Sequence, residues 1–184
     1  MSEEIREGFT RVTSVLSPYN DFSNINPEVL QRACDRGTKV HRLCETYANG
    51  DYVPPPESPL EGYFRSFTGW YDEMVDKVLL LEWRAYNEIL MLTGCVDAVV
   101  ILKGDTEPTV VDYKTSSVVS KSWALQTAMY HDLVNDRGDI KPKRRIALQL
   151  KKDGKKPKVI EYTNLSRDLD LYLSAYKLYR WFNG

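Results

Sequence analysis

The sequence predicts an α/β fold, a mixed sheet of about five strands with helices packed against it. Three observations lead there. Apolar residues recur at three- and four-residue steps in segments near 27–48, 60–74, 123–135 and 165–182, the period of an amphipathic helix. Runs rich in Val, Ile, Leu and Tyr, bounded by turn residues, lie near 76–86, 91–102, 108–114, 144–151 and 157–163. Helices and strands alternate along the second half, so the helices must cover a sheet rather than form a bundle. With 184 residues, 42% of them hydrophobic and 28% charged, the chain has the size and composition of a single packed domain. It divides into an N-terminal helical part, 1–74, a sheet core, 75–163, and a C-terminal helix, 165–182.

The elements follow in order. Residues 10–26, with Ser17-Pro18 and Asn26-Pro27, read as an irregular entry. Pro27 suits the first turn of a helix, where its missing N–H has no partner to lose. Leu30, Ala33, Cys34, Gly37, Val40, His41 and Cys44 share one face of that helix, and Asn49-Gly50 ends it. Pro54-Pro55-Pro56 makes a stiff surface loop. Leu60, Tyr63, Phe64, Phe67 and Trp70 mark the next helix. Lys103-Gly104-Asp105 joins two strands as a hairpin, and Asp153-Gly154 joins the last two. Leu169, Leu173, Tyr176 and Arg180 give the final helix its period, and its aromatic stripe reads as core packing or a base-stacking platform.

The bulk features exclude several classes. Val78–Leu81 and Ala98–Leu102 are too short to span a bilayer, and the opening Met1–Val12 is polar and acidic. The expectation is a soluble cytoplasmic protein without membrane contact. Three cysteines at irregular spacing, Cys34, Cys44 and Cys95, suit free thiols rather than a disulfide framework or a zinc or iron–sulfur site. Net charge is −1, but residues 137–158 hold ten basic residues against two acids, +8, which leaves −9 on the remainder. Such a block, which includes Lys143, Arg144 and Arg145, reads as a polyanion contact or as a solvated hairpin.

Two acids interrupt the apolar strands. Asp97 lies in Thr93-Gly94-Cys95-Val96-Asp97-Ala98, and Asp112 in Val110-Val111-Asp112-Tyr113-Lys114. Charges enter such strands when paired or bound to metal. Asp112 and Lys114 are two apart, so they share a face. The hairpin can bring Asp97 beside them. Carboxylates with an ammonium suit metal-assisted phosphodiester hydrolysis: the acids bind a hard divalent cation, and the lysine handles the attacking water or the phosphate charge. A buried salt bridge explains the same spacing. Asp153-Gly154-Lys155 repeats the pattern on an exposed turn, where it is structural. His41 is a core residue or a third ligand, and Glu82 is another acid within an apolar strand. Gln126 and Tyr130 share a helix face, where they touch DNA or cap the core.

Gly37-Thr38-Lys39-Val40-His41, Glu82, Gly94-Cys95-Val96-Asp97, Val111-Asp112-Tyr113-Lys114-Thr115-Ser116, and Gln126 with Tyr130 together resemble the PD-(D/E)XK nuclease superfamily, in its RecB-type exonuclease branch. The ordered set spans about 36–130. Val96 stands where the family name has proline. The resemblance implies a restriction-endonuclease-like α-β-β-β-α-β core. It further implies Mg²⁺ or Mn²⁺, one ion or two, held by His41, Asp97, Asp112 and the carbonyl of Tyr113, with Lys114 catalytic and Glu82 supporting the site. Thr115, Ser116, Gln126 and Tyr130 would lie near the DNA path. The cysteines of the relatives' iron–sulfur cluster are absent, so no such cofactor is expected. The implied activity is a DNA exonuclease on single strands or ends, of phage or prophage type; the alternatives are an endonuclease of the same superfamily, of resolvase or restriction type, or a DNA-binding subunit that has lost catalysis. Any helicase or single-strand annealing or binding partner is expected to be a separate chain. The first long helix and the proline loop could then arch over a threaded strand.

Overall fold

The computed structural model describes residues 5–183. Six strands form one mixed sheet: β1 (Thr10–Arg11), β2 (Val75–Asn87), β3 (Leu92–Leu102), β4 (Pro108–Lys114), β5 (Arg144–Gln149) and β6 (Lys158–Glu161). β3 has β2 antiparallel along one edge. Its other edge is shared, by antiparallel β4 at Ala98–Ile101 and by parallel β1 at Leu92–Thr93. β5 runs parallel to β4, and β6 closes the far edge antiparallel to β5.

Helices cover both faces. On one lie α1 (Val12–Leu16), α4 (Ser122–Asp136) and α5 (Leu165–Asn183), whose Val12, Val15, Met129, Leu133 and Tyr172 pack on Val96, Val99 and Val110. On the other lie α2 (Pro27–Ala48) and α3 (Ser58–Met74), whose Val40, Cys44, Phe67 and Trp70 pack on Val100, Val111, Ile146 and Leu148. Val99 and Val100, like Val110 and Val111, therefore face opposite layers, as strand geometry requires. A β-sheet buried on both faces explains why these strands read as unbroken apolar runs. Each fully buried Val or Leu contributes roughly 1.5–3 kcal/mol.

On β3 that alternation fails at one place, and the site lies there. Leu92 and Val96 pack with the α4–α5 layer, yet Ala98 and Val100, also even-numbered, pack with the α2–α3 layer. On β2 the same break separates Leu81 from Trp83. The pairs Leu81↔Ala98 and Trp83↔Val96 flank Glu82 and Asp97, so the two breaks coincide. Glu82 takes a left-handed φ of 41°, rare for a residue with a Cβ.

Several expectations need adjusting. The entry segment is ordered: β1, α1 and a 3₁₀ turn at Ser17–Tyr19 occupy it, which makes six strands rather than five. The last two strands are shorter than predicted. Beyond β5 the Lys151 amide donates to Ser66 Oγ on α3, which draws the chain out of the sheet. A Cβ on Gly62 of α3 would meet the Lys152 carbonyl oxygen at 1.7 Å, so only glycine permits this approach. Among the described residues no helix is long and apolar enough to cross a membrane.

Candidate active site

β3 and β4 stop pairing at Ala98↔Val111 and fork. Asp97 fills the fork: its Oδ2 accepts a hydrogen bond from the Tyr113 backbone N–H at 2.6 Å, in place of a ladder carbonyl. The side chain thus lies near the plane of the sheet, within reach of both layers.

From α2 comes His41. Its Nδ1 lies 3.3 Å from Asp97 Oδ1 and 3.9 Å from Glu82 Oε1. Its Nε2 lies 3.0 Å from the Tyr113 carbonyl oxygen. Burial disfavours the imidazolium, but Asp97, Glu82 and Asp112 outweigh it and push the pKa up to about 9. Glu82 is pushed up to about 7, by burial and by Asp97, with His41 opposing. Cys95 Sγ donates to Glu82 Oε2 at 3.4 Å, while Glu82 Oε1 is buried with no hydrogen-bond partner.

Asp112 and Lys114 point toward α4. Lys114 Nζ lies 2.6 Å from Asp112 Oδ2, a charge contact without hydrogen-bond alignment. Gln126 bridges the pair: Nε2 donates to Asp112 Oδ1 at 3.0 Å, and Oε1 accepts from Lys114 Nζ at 2.9 Å. Gln126 Nε2 also donates to Tyr130 Oη at 3.0 Å. Asp112 is pushed up to about 6 by burial and Asp97, against Lys114 and His41. A Cβ on Gly94 would lie 2.8 Å from Tyr130 Cε1, so the glycine leaves room for this ring.

One ligand atom from each of His41, Glu82 and Asp97 lies within 4.8 Å of the others. The donor set, two carboxylates and an imidazole with one carboxylate oxygen unpartnered, fits a divalent cation. Binding would require His41 to lose its proton. The carboxylates of Glu82, Asp97 and Asp112 would then face one ammonium, Lys114, a net −2 that one divalent ion balances. The grouping differs from the ligand set the resemblance implied: Glu82 joins His41 and Asp97, whereas Asp112 turns to Lys114 and Gln126.

The remaining candidates scatter. Thr115 and Ser116 lie in the loop leaving β4, and Thr115 Oγ1 borders Gly37 of α2. Gln126 and Tyr130 are 9% and 4% exposed, so they organise Asp112 and Lys114 rather than line a strand path. Lys143 is exposed. Arg144 pairs with Glu161 and Asp105, and Arg145, 2% exposed, pairs with Asp168 at 2.5 Å and donates to the Ala124 carbonyl. Neither arginine is a free surface cation; the burial of Arg145 corrects its reading as a strand contact, whereas Arg144 stays part-exposed. Asp153 and Lys155 form an exposed turn pair at 2.9 Å, the structural role expected of that turn. Sequence reasoning missed Cys95 as the Glu82 donor; the contact depends on the pairing of β3 with β2, which sets Cys95 opposite Arg84, and no sequence signal gives that register.

A mixed sheet covered by helices on both faces thus brings acids, a histidine and a lysine together at a strand fork, a donor set that suits a divalent cation. The profile of the PD-(D/E)XK nuclease superfamily matches residues 59–178, and the chain belongs to that superfamily. A candidate exonuclease from Eubacterium rectale has a similar structure over 97% of this chain and 82% of its own, with a TM-score of 0.54 and 10% identity. The protein SSO0001 aligns over 96% of this chain and 79% of its own, with a TM-score of 0.41 and 14% identity. The Eubacterium rectale likeness concerns the fold alone. No curated protein matches the sequence.

Proposed function

We propose that the protein is a divalent-metal-dependent DNA exonuclease that hydrolyses phosphodiester bonds in single strands or at DNA ends, in phage or prophage recombination, replication or repair. The observation that carries the reading is the meeting of His41, Glu82 and Asp97 with the Asp112–Lys114 pair at one fork. Mg²⁺ or Mn²⁺ held there would polarise the phosphoryl group and acidify a bound water. Lys114, held by Gln126 and Asp112, is placed to orient the attacking water or to stabilise charge on the phosphate. Tyr113 fixes Asp97 through its amide, and Cys95 fixes Glu82.

Support for action on strand ends comes from α2. Its N-terminal half, residues 27–39, contains no buried residue, so it is available to close over a strand beside His41. The test uses end-labelled linear and closed circular DNA, single- and double-stranded, with Mg²⁺, Mn²⁺ or EDTA. Expected are cation-dependent release of nucleotides from linear substrates, survival of circles, and loss of activity in Asp112→Ala and Lys114→Ala. Cutting of circular single strands would assign an endonuclease instead. Activity that persists in EDTA or in Lys114→Ala would overturn the mechanism.

A further inference from the structure

On the α4–α5 side of the sheet, β5, the end of β6 and the first residue of α5 border a partly open cavity of about 170 Å³ that shares no lining residue with the fork. One water needs only ~15 Å³, and a drug-sized ligand pocket starts near ~300 Å³, so the space suits a small ion. Its walls include His131, Lys143, Arg145, Tyr162 and Thr163.

Two buried polar atoms in these walls have no partner: Arg145 Nε and Tyr162 Oη. Arg145 is 2% exposed, and its guanidinium carbon stands 5.6 Å from the Tyr162 ring centroid. Its other nitrogens are engaged, Nη1 with the Ala124 carbonyl and Thr127 Oγ1, and Nη2 with Asp168. Nε alone is left over. Buried polar groups without partners are costly and few, and both of these belong to the same cavity.

The charge there is positive. Glu161, the acid in the wall, is held by Arg144 through two hydrogen bonds. Asp168 is shared between Arg145 and Arg167. Lys143 has no ion pair among the described residues. His131 is held below its ordinary pKa by burial and by the positive charges of Arg145 and Lys143, with its bond to the Pro142 carbonyl opposing. A cavity with an arginine N–H, a phenol O–H, a free ammonium and a threonine hydroxyl offers donors to an oxyanion. The basic block that stood out in the sequence thus converges, in part, on a partly open cavity.

We propose that this cavity binds a phosphate group, through Arg145, Tyr162 and Lys143, at a site separate from the metal-binding fork. The phosphate is either free or part of a nucleic-acid strand. The proposal does not depend on the nuclease reading.

The full-length chain, in EDTA, is titrated with inorganic phosphate and, separately, with a short oligonucleotide with and without a terminal phosphate, by calorimetry and thermal unfolding. Variants are Tyr162→Phe, Lys143→Ala and Asp112→Asn. Loss of one hydrogen bond to a charged group weakens binding about tenfold or more. Expected are saturable phosphate binding, at least tenfold weaker in Tyr162→Phe and Lys143→Ala and not weakened in Asp112→Asn, which removes a negative charge that acts on Tyr162. Tyr162→Phe should unfold at the same temperature as the parent or higher without phosphate, because it removes an unpartnered buried hydroxyl, and gain less when phosphate is added, which a purely structural tyrosine would not do. If the same two variants weaken only the oligonucleotide, the phosphate belongs to a strand, and dependence on the terminal group tells an end from a backbone position. Binding that Asp112→Asn abolishes, or that both cavity variants leave intact, overturns the proposal, as does the absence of binding by any of the three ligands.

Discussion

Replacing Glu82 with glycine should stabilise the metal-free protein while removing its response to metal. Glu82 sits at φ 41°, where an L-residue is strained by ~1–2 kcal/mol. Its carboxyl is buried beside Asp97 with one oxygen unpartnered, a further penalty of ~1–3 kcal/mol. Glycine relieves both, but loses ~0.5–1 kcal/mol through the freedom it gains when unfolded, together with the side chain's packing. The balance favours the variant by ~1–3 kcal/mol. Glu82→Gln keeps the backbone strain and removes only the charge, so it should gain less. The assay is denaturant unfolding in EDTA, repeated with Mn²⁺. A cation at a hundred times its Kd stabilises the parent by ~2.7 kcal/mol. Glu82→Gly should show little of that gain. A variant less stable than the parent by over ~1 kcal/mol in EDTA, on the scale of the strain invoked, would refute the strain argument. A full response to Mn²⁺ would remove Glu82 from the metal group.

Other consequences are open to measurement. Burial pushes the Asp168 carboxyl up, but hydrogen bonds from Arg145 and Arg167 outweigh it and hold the pKa below the ordinary carboxylate range. A depressed pKa contributes stability that is present above the unfolded value, ~3.9, and is lost as pH falls through the folded one. Asp168→Asn should therefore flatten the acid limb of the stability curve and cost ~3–5 kcal/mol at pH 7, because Arg145 stays buried without its counter-charge. A cost under ~1 kcal/mol, well short of that range, would mean that the arginine finds another partner. Gly94→Ala forces a methyl against Tyr130 and should cost ~1–3 kcal/mol by overpacking. By displacing Tyr130 from Gln126 it should also lower kcat ~10–100-fold with little change in KM. Wild-type kinetics in a folded Gly94→Ala would separate Tyr130 from catalysis.

The long elements were legible because each carried its own signal. Pro27 and Asn49 bracket α2, and Asp112 with Lys114 obeys the two-residue strand repeat, so their shared face followed from spacing alone. α1, at five residues, is too short for periodicity to show, although Val12, Val15 and Leu16 all enter the core. Arg145 read as one more cation in a basic run, yet its strand position turns it inward next to Val110 of β4. Its partner Asp168 lies in a polar stretch that gives no hint of burial. The replacement of Asp112 by Glu82 beside His41 depends on the kink that β2 and β3 share. No local pattern encodes that kink, because it arises from pairing between strands.

The fork at Asp97 also bears on when the site comes into being. His41 reaches the Tyr113 carbonyl across 72 residues of chain, from a helix on one side of the sheet, while Gln126 secures Lys114 from a helix on the other. Neither layer alone completes the candidate site. A nascent or half-folded chain that has docked only one of them lacks either His41 beside Asp97 or Gln126 beside Lys114, so the full grouping exists only after both sides have closed.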